Sequence, residues 1–330
     1  MWDTPNPPRL NSCRFVPRKG PIPRRVRTVS FDEHVTGITV FCSSGYTYGI
    51  YVHRGKLSSA FDTYMKFPKP LRGSFVWLYF PLAPGEAIED VWIRCRKSRS
   101  NTANDGPALV VSILPAHLES SDDKQMQTSF YRLQTFGDYL APSNWPGSSY
   151  QRHYHLCSRP IDNLLYHDPD PGHPILYFGT LRTDCAERES EPCSSYSTVR
   201  YESHRSHASL ENVENIQCFY VLRKDNVQDS VPVHFCIGLL LEYSNKRREA
   251  LGQCKIGTLQ SIHAAPARIY MKIEPNSPGV LIKFGSDHPA ELGWAVIEMI
   301  GEITWWFKEN NVVSITHSGK WVTSLPVHVR

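Results

Sequence analysis

The chain has 330 residues, 41% of them hydrophobic and 21% charged, which suits two domains of ordinary size or one domain with a large insertion. Its formal charge of +4 sits at one end: residues 1–30 carry seven Arg and Lys against Asp3 alone, so the body is near neutral, which argues against a nucleic-acid-binding domain. Nine cysteines without a C-x-x-C pair exclude a zinc ribbon or a thioredoxin-type motif, and no stretch approaches the ~20 apolar residues of a membrane-spanning helix.

Residues 1–26, rich in Pro and Arg, read as an extended basic arm, either solvated or docked on an anionic partner. From Val35 to Cys42 the chain is β-branched and apolar. Ser43-Ser-Gly45 marks a turn, and Tyr46 to Val52 reads as the returning strand. Ser74–Phe80 is a third strand, closed by Pro81-Leu-Ala-Pro-Gly85, and Ala87–Arg94 and Ala108–Leu114 follow. Met126, Phe130, Leu133 and Phe136 fall near helical spacing, so a helix is predicted within 116–140. Residues 141–230 read as an irregular His- and Ser-rich linker or insertion with short strands. The last third returns to strands: 231–243, 249–256, 267–273, 279–284, 302–307 and 311–316. The resulting divisions are an arm at 1–26, a first β module at 27–140, the linker at 141–230 and a second β module at 231–330. A weak repeat aligns Gly37–Ser43 with Gly238–Ser244, each strand running through Gly into a Ser-led turn.

The turn grammar of the first module resembles that of jacalin-related lectins. The residues concerned are Gly37-Ile-Thr-Val, Ser44-Gly45-Tyr-Thr-Tyr48, Gly49-Ile-Tyr and Pro84-Gly-Glu-Ala-Ile88. The second copy, from Gly238, resembles uncharacterised fungal proteins of the same general type. The resemblance implies a β-prism fold and metal-free binding of a glycan. It departs at one point: where the lectin loop ends in an Asp that accepts sugar hydroxyls, Gly49 stands here, with no carboxylate.

No G-x-S-x-G, H-E-x-x-H, Walker A or G-x-G-x-x-G motif occurs. The densest polar cluster runs from Arg152 to His173. His153 and His155 are two apart, so on a strand they share a face, and Asp168 follows. These three are the acid/base candidates of an enzymatic reading, although a solvated His-rich loop would carry the same residues. His204-Arg-Ser-His207 reads as a solvated loop. Trp305 and Trp306 are adjacent on a predicted strand, so alternation sends one of them outward. With Tyr46 and Tyr48 they are the ligand-binding candidates, since an exposed ring can stack on a sugar or an apolar molecule.

The sequence therefore predicts an all-β protein with few short helices: two tandem β-prism or β-sandwich-like modules, or one such module with a large insertion. The leading expectation is a non-enzymatic, lectin-like glycan binder without cofactor or metal, located in the cytoplasm. The alternative is a cofactor-independent enzyme, a cyclase, isomerase or pericyclase, that holds an apolar small molecule between the modules.

Overall fold

The computed structural model describes residues 13–16, 25–55, 59–97, 107–114, 132–136, 150–158, 164–181, 204–223, 233–264, 266–274, 277–286, 289, 291–309 and 312–324. Within them the chain is almost entirely strand. In order these are β1 (Arg14–Val16), β2 (Val26–Val29), β3 (Val35–Ser43), β4 (Tyr46–Arg54), β5 (Val76–Pro81), β6 (Ala87–Lys97) and β7 (Ala108–Leu114). There follow β8 (Arg132–Phe136), β9 (Tyr150–Ser158), β10 (Leu164–His167), β11 (Phe178–Thr180), β12 (His204–Ser209), β13 (Val213–Arg223) and β14 (Val233–Tyr243). The last are β15 (Arg248–Gly252), β16 (Gln260–Ala264), β17 (Arg268–Ile273), β18 (Val280–Phe284), β19 (Ala295–Glu298), β20 (Glu302–Phe307), β21 (Val312–His317) and β22 (Lys320–Ser324). Two short helices, α1 (Phe61–Met65) and α2 (Lys69–Arg72), lie between β4 and β5.

Five antiparallel sheets result, with strand orders β1-β11-β10-β2, β4-β3-β5, β8-β7-β6-β9, β12-β20-β21-β22 and β16-β13-β14-β18-β17-β19, the last with β15 also on β14. The all-β expectation holds. The first hairpin shows why its residues were legible. Ser43 pairs with Tyr46, so the loop has two residues, and Ser44 and Gly45 both take positive φ, 49° and 79°. That is the backbone twist a two-residue hairpin needs, and Gly supplies it without strain.

Three local expectations are corrected. The helix predicted within 116–140 is a strand where it is described: β8 pairs with β7, and Phe136 is fully buried against Phe80. Met126 and Phe130 lie outside the described residues. A cross-strand partner and a buried ring outweigh a loose helical spacing. His204–His207 is not a solvated loop but part of β12, paired with β20, with His204 and Ser206 buried. Within the arm, Arg14–Val16 is a strand on β11.

One buried apolar cluster draws on all five sheets, from Val16 and Leu164 through Ile38, Val91 and Leu239 to Trp305 and Ile315. Polar clasps join the early sheets to the late ones. The Gln253 amide accepts from the Trp77 N–H at 3.4 Å and donates to the carbonyls of Lys308 and Glu309, each at 3.1 Å. Arg132 on β8 donates to Glu86 at 2.6 Å, to the Pro81 carbonyl at 3.0 Å and to the Arg248 carbonyl of β15 at 2.6 Å. At Gly238 a Cβ would stand 2.4 Å from the Gln253 carbonyl oxygen, so only glycine lets these backbones approach. No helix among the described residues is long and apolar enough to cross a membrane.

Candidate functional site

Alternation along β6 sends Val91 and Ile93 into the core and turns Asp90, Trp92 and Arg94 to the opposite face. Across from them β9 contributes Ser158 opposite Asp90, His155 opposite Trp92 and His153 opposite Arg94. His155 and Ser158 are three apart and would face opposite sides of a regular strand. A β-bulge between Val91 and Trp92 inserts one extra residue on β9, and this puts both on the same face. From the other side, β7 places Ser112 opposite Asp90.

These side chains meet at the Asp90 carboxylate. Its Oδ1 lies 2.9 Å from His155 Nε2 and accepts from the Ser158 hydroxyl at 2.6 Å, while Oδ2 accepts from Ser112 at 3.3 Å. The Ser112 oxygen in turn accepts from the Asp90 amide at 3.1 Å. Burial alone would raise the Asp90 pKa, but the hydrogen bonds from His155, Ser158 and Ser112 outweigh it and hold the carboxyl below its usual range. The imidazole of His155 lies against the Trp92 indole, centroids 4.5 Å apart. The His155 and Asp90 side chains keep 11% and 28% exposure, so solvent and solutes reach the cluster. One position along, burial and then the nearby Arg94 charge push His153 down to about 4, so it is a neutral ring at pH 7.

Serine, histidine and aspartate in contact suggest a nucleophile, but the geometry is wrong for one. In a relay the carboxylate holds one ring nitrogen and the hydroxyl meets the other. Here Asp90 Oδ1 and Ser158 Oγ, the latter at 3.0 Å, both meet Nε2. With its proton on Nε2, His155 donates to Asp90 and has no lone pair there to accept the serine hydrogen. Ser158 gives that hydrogen to the carboxylate instead. The cluster is a set of hydrogen bonds around an anion, beside an aromatic face.

The other predicted residues lie elsewhere. Asp168 pairs with Arg27 at 2.9 Å and Arg25 at 3.3 Å, and Arg25 also reaches Asp170 at 2.7 Å, so its charge partners are the end of the basic arm and not His153 or His155. Trp305 and Trp306 are 0% and 1% exposed, so neither offers a ring to a ligand. Trp305 belongs to the main core cluster, and Trp306, on the other face of the strand, is met by the guanidinium of Arg205 from the neighbouring β12, 5.6 Å from its ring centroid. Tyr48 packs edge-on against Phe75 at 5.1 Å, in a small aromatic cluster with Phe41 and Trp77. Tyr46 is half-buried at the hairpin turn. A carboxylate does reach that turn from far along the chain: Glu309 Oε1 accepts from the Ser44 amide at 3.2 Å. Among the described residues, no group of three or more His, Cys, Asp or Glu side chains is arranged to hold a metal ion.

Asp90, Ser112, Ser158 and Trp92 were not singled out from sequence. The spacing His155-x-x-Ser158 carried no signal, because only the bulge makes it a shared face. No protein-family model, curated protein or solved structure matches the chain.

Proposed function

We propose that the protein binds a glycan, through the face of the β6–β9 pair rather than through the Tyr46–Tyr48 turn. The observation that carries this reading is the convergence of Asp90, Ser158 and His155 beside Trp92. A sugar ring has an apolar C–H face and a rim of hydroxyls. An indole plane takes the first. An ionised carboxylate whose Oδ2 accepts one side-chain hydrogen bond, flanked by the Ser158 oxygen that can still accept, takes the second. Because Ser158 is tied to Asp90 and is not activated by His155, this face suits recognition and not turnover.

The compartment that fits is the cytoplasm. None of the seven described cysteines forms a disulfide with another described residue, and burial pushes the thiols of Cys95, to about 12, and Cys254 upward, which leaves these two unreactive in a reducing setting. A glycan array probed with the full-length protein tests the proposal. Competable binding to one sugar family supports it, and an array without competable binding contradicts it.

A further inference from the structure

A second meeting of serine and histidine stands at the edge of the seven-stranded sheet. Ser261 and His263 are two apart on β16, so their side chains leave the same face of the strand. They stand opposite Cys218 and Ile216 of β13, both fully buried, whose side chains lie beside theirs on the same face of the sheet. Ser261 Oγ lies 2.8 Å from His263 Nε2 and 3.0 Å from the Tyr220 hydroxyl. The His263 ring is held against Phe284, centroids 4.1 Å apart and 30° from parallel. Ser261, His263 and Tyr220 are all half-buried.

Proton inventory orders this group. Burial pushes the Tyr220 phenol well above its usual range, so it keeps its hydrogen, for which Ser261 Oγ and the Cys218 thiol are the neighbouring acceptors. With the imidazole proton on Nδ1, His263 Nε2 at 2.8 Å can accept the serine hydrogen, beside the Cys218 thiol and the Tyr220 hydroxyl that also meet Ser261. Unlike Nε2 of His155, this nitrogen meets no carboxylate. The backbone adds a donor. The Tyr220 amide donates to the Leu259 carbonyl at 3.0 Å, and alternation along an antiparallel pair then turns the amides of Gln260 and Ile262 away from β13. Among the described residues no strand pairs with that outer edge of β16. The N–H of Ile262, next in the chain after Ser261, is therefore aimed outward beside the hydroxyl, and the Ile262 side chain on the other face is 68% exposed.

We propose that Ser261 and His263 are a nucleophile–base dyad for acyl transfer from esters of apolar acids, with Tyr220 and the Ile262 amide as hydrogen-bond donors. Ser261 Oγ forms the bond to the acyl carbon while its proton passes to His263 Nε2. The ester C–O bond breaks, and the alcohol leaves with that proton. Water, deprotonated by the same nitrogen, then attacks the acyl-serine and releases the acid. The Ile262 amide is placed to meet the oxyanion at each stage. Phe284, held against His263, and Ile282 on the same face of β18 give an apolar flank suited to the acyl chain.

The test is a fluorophosphonate probe on the folded full-length protein, with the labelled residue located by peptide mass mapping. In the expected reaction Ser261 Oγ displaces fluoride from phosphorus and one adduct forms at Ser261. Mapping the unaltered chain makes this outcome independent of whether a variant folds. His263→Ala should slow labelling by roughly 100-fold or more, the range for loss of a general base. Tyr220→Phe, which keeps the ring, should slow it less. The proposal is overturned by no adduct on Ser261, by adducts spread over many serines, or by equal labelling of folded protein and a heat-unfolded control. Unchanged labelling in the His263 variant would remove the base assignment and with it the dyad.

Discussion

The β6–β9 face and the β16 edge use the same two residue types at comparable distances and arrive at different chemistry. In the first, Ser158 and Asp90 crowd one imidazole nitrogen, the carboxylate takes both hydrogens, and the hydroxyl is spent. In the second, Ser261 meets Nε2 with a phenol and the Cys218 thiol as its other neighbours and no carboxylate at the ring nitrogen. What separates a recognition surface from a reactive one is which atom each hydrogen is left to point at. A list of residues in contact does not supply that. The backbone decides it: a bulge sets Ser158 beside Asp90, while regular pairing at an open edge sets Ser261 beside His263.

The largest expected effect comes from the joint between the sheets that carry the two sites. Arg132 and Glu86 are buried, and Glu86→Ala strands a buried guanidinium, at an expected cost of about 3–5 kcal/mol by denaturant unfolding. Next comes the anion of the first site. Asp90→Ala leaves Ser158 and His155 without their acceptor and should cost about 2 kcal/mol, with no change in fluorophosphonate labelling at Ser261. Trp92→Ala should weaken glycan binding about tenfold, the loss of one stacking ring, and likewise leave Ser261 labelling intact.

The smallest effect is the pH response of His153. Its folded-state pKa, about 4, lies below the ordinary value of 6.5, so between those two pH values the unfolded chain binds more protons than the folded one. Stability should therefore fall as pH drops from 6.5 to 4 and level off below. Screening at this half-buried ring limits the change to about 1 kcal/mol. His153→Gln should flatten that part of a stability-versus-pH curve, and an unchanged slope would show that the ring is more open than the structure has it.

Strands and turns were legible because their signals are local: β-branched runs, the Ser44-Gly45 turn, the Pro-Gly closure after β5. The errors arose where a distant partner decided the outcome. Leu133 and Phe136 suggested a helix until β7 claimed their strand, and Trp306, on the face opposite the core-facing Trp305, is buried at a position where Arg205 of the neighbouring strand lies over its ring. Of the candidate site, His155 was found and its partners were not. Asp90 is 65 residues away in sequence, and Ser158 shares its face only through the bulge. Ser261-x-His263 was within reach of sequence reasoning, since i, i+2 spacing on a strand shares a face. Tyr220, 41 residues away, was not.

The most direct test of the account is a glycan array run in parallel on the full-length protein and its Trp92→Ala variant. The account predicts competable binding to one sugar family by the first, lost or much reduced in the second while unfolding midpoints stay close. Binding of equal strength in both proteins, or no competable binding in either, would contradict the assignment of the β6–β9 face as the recognition surface.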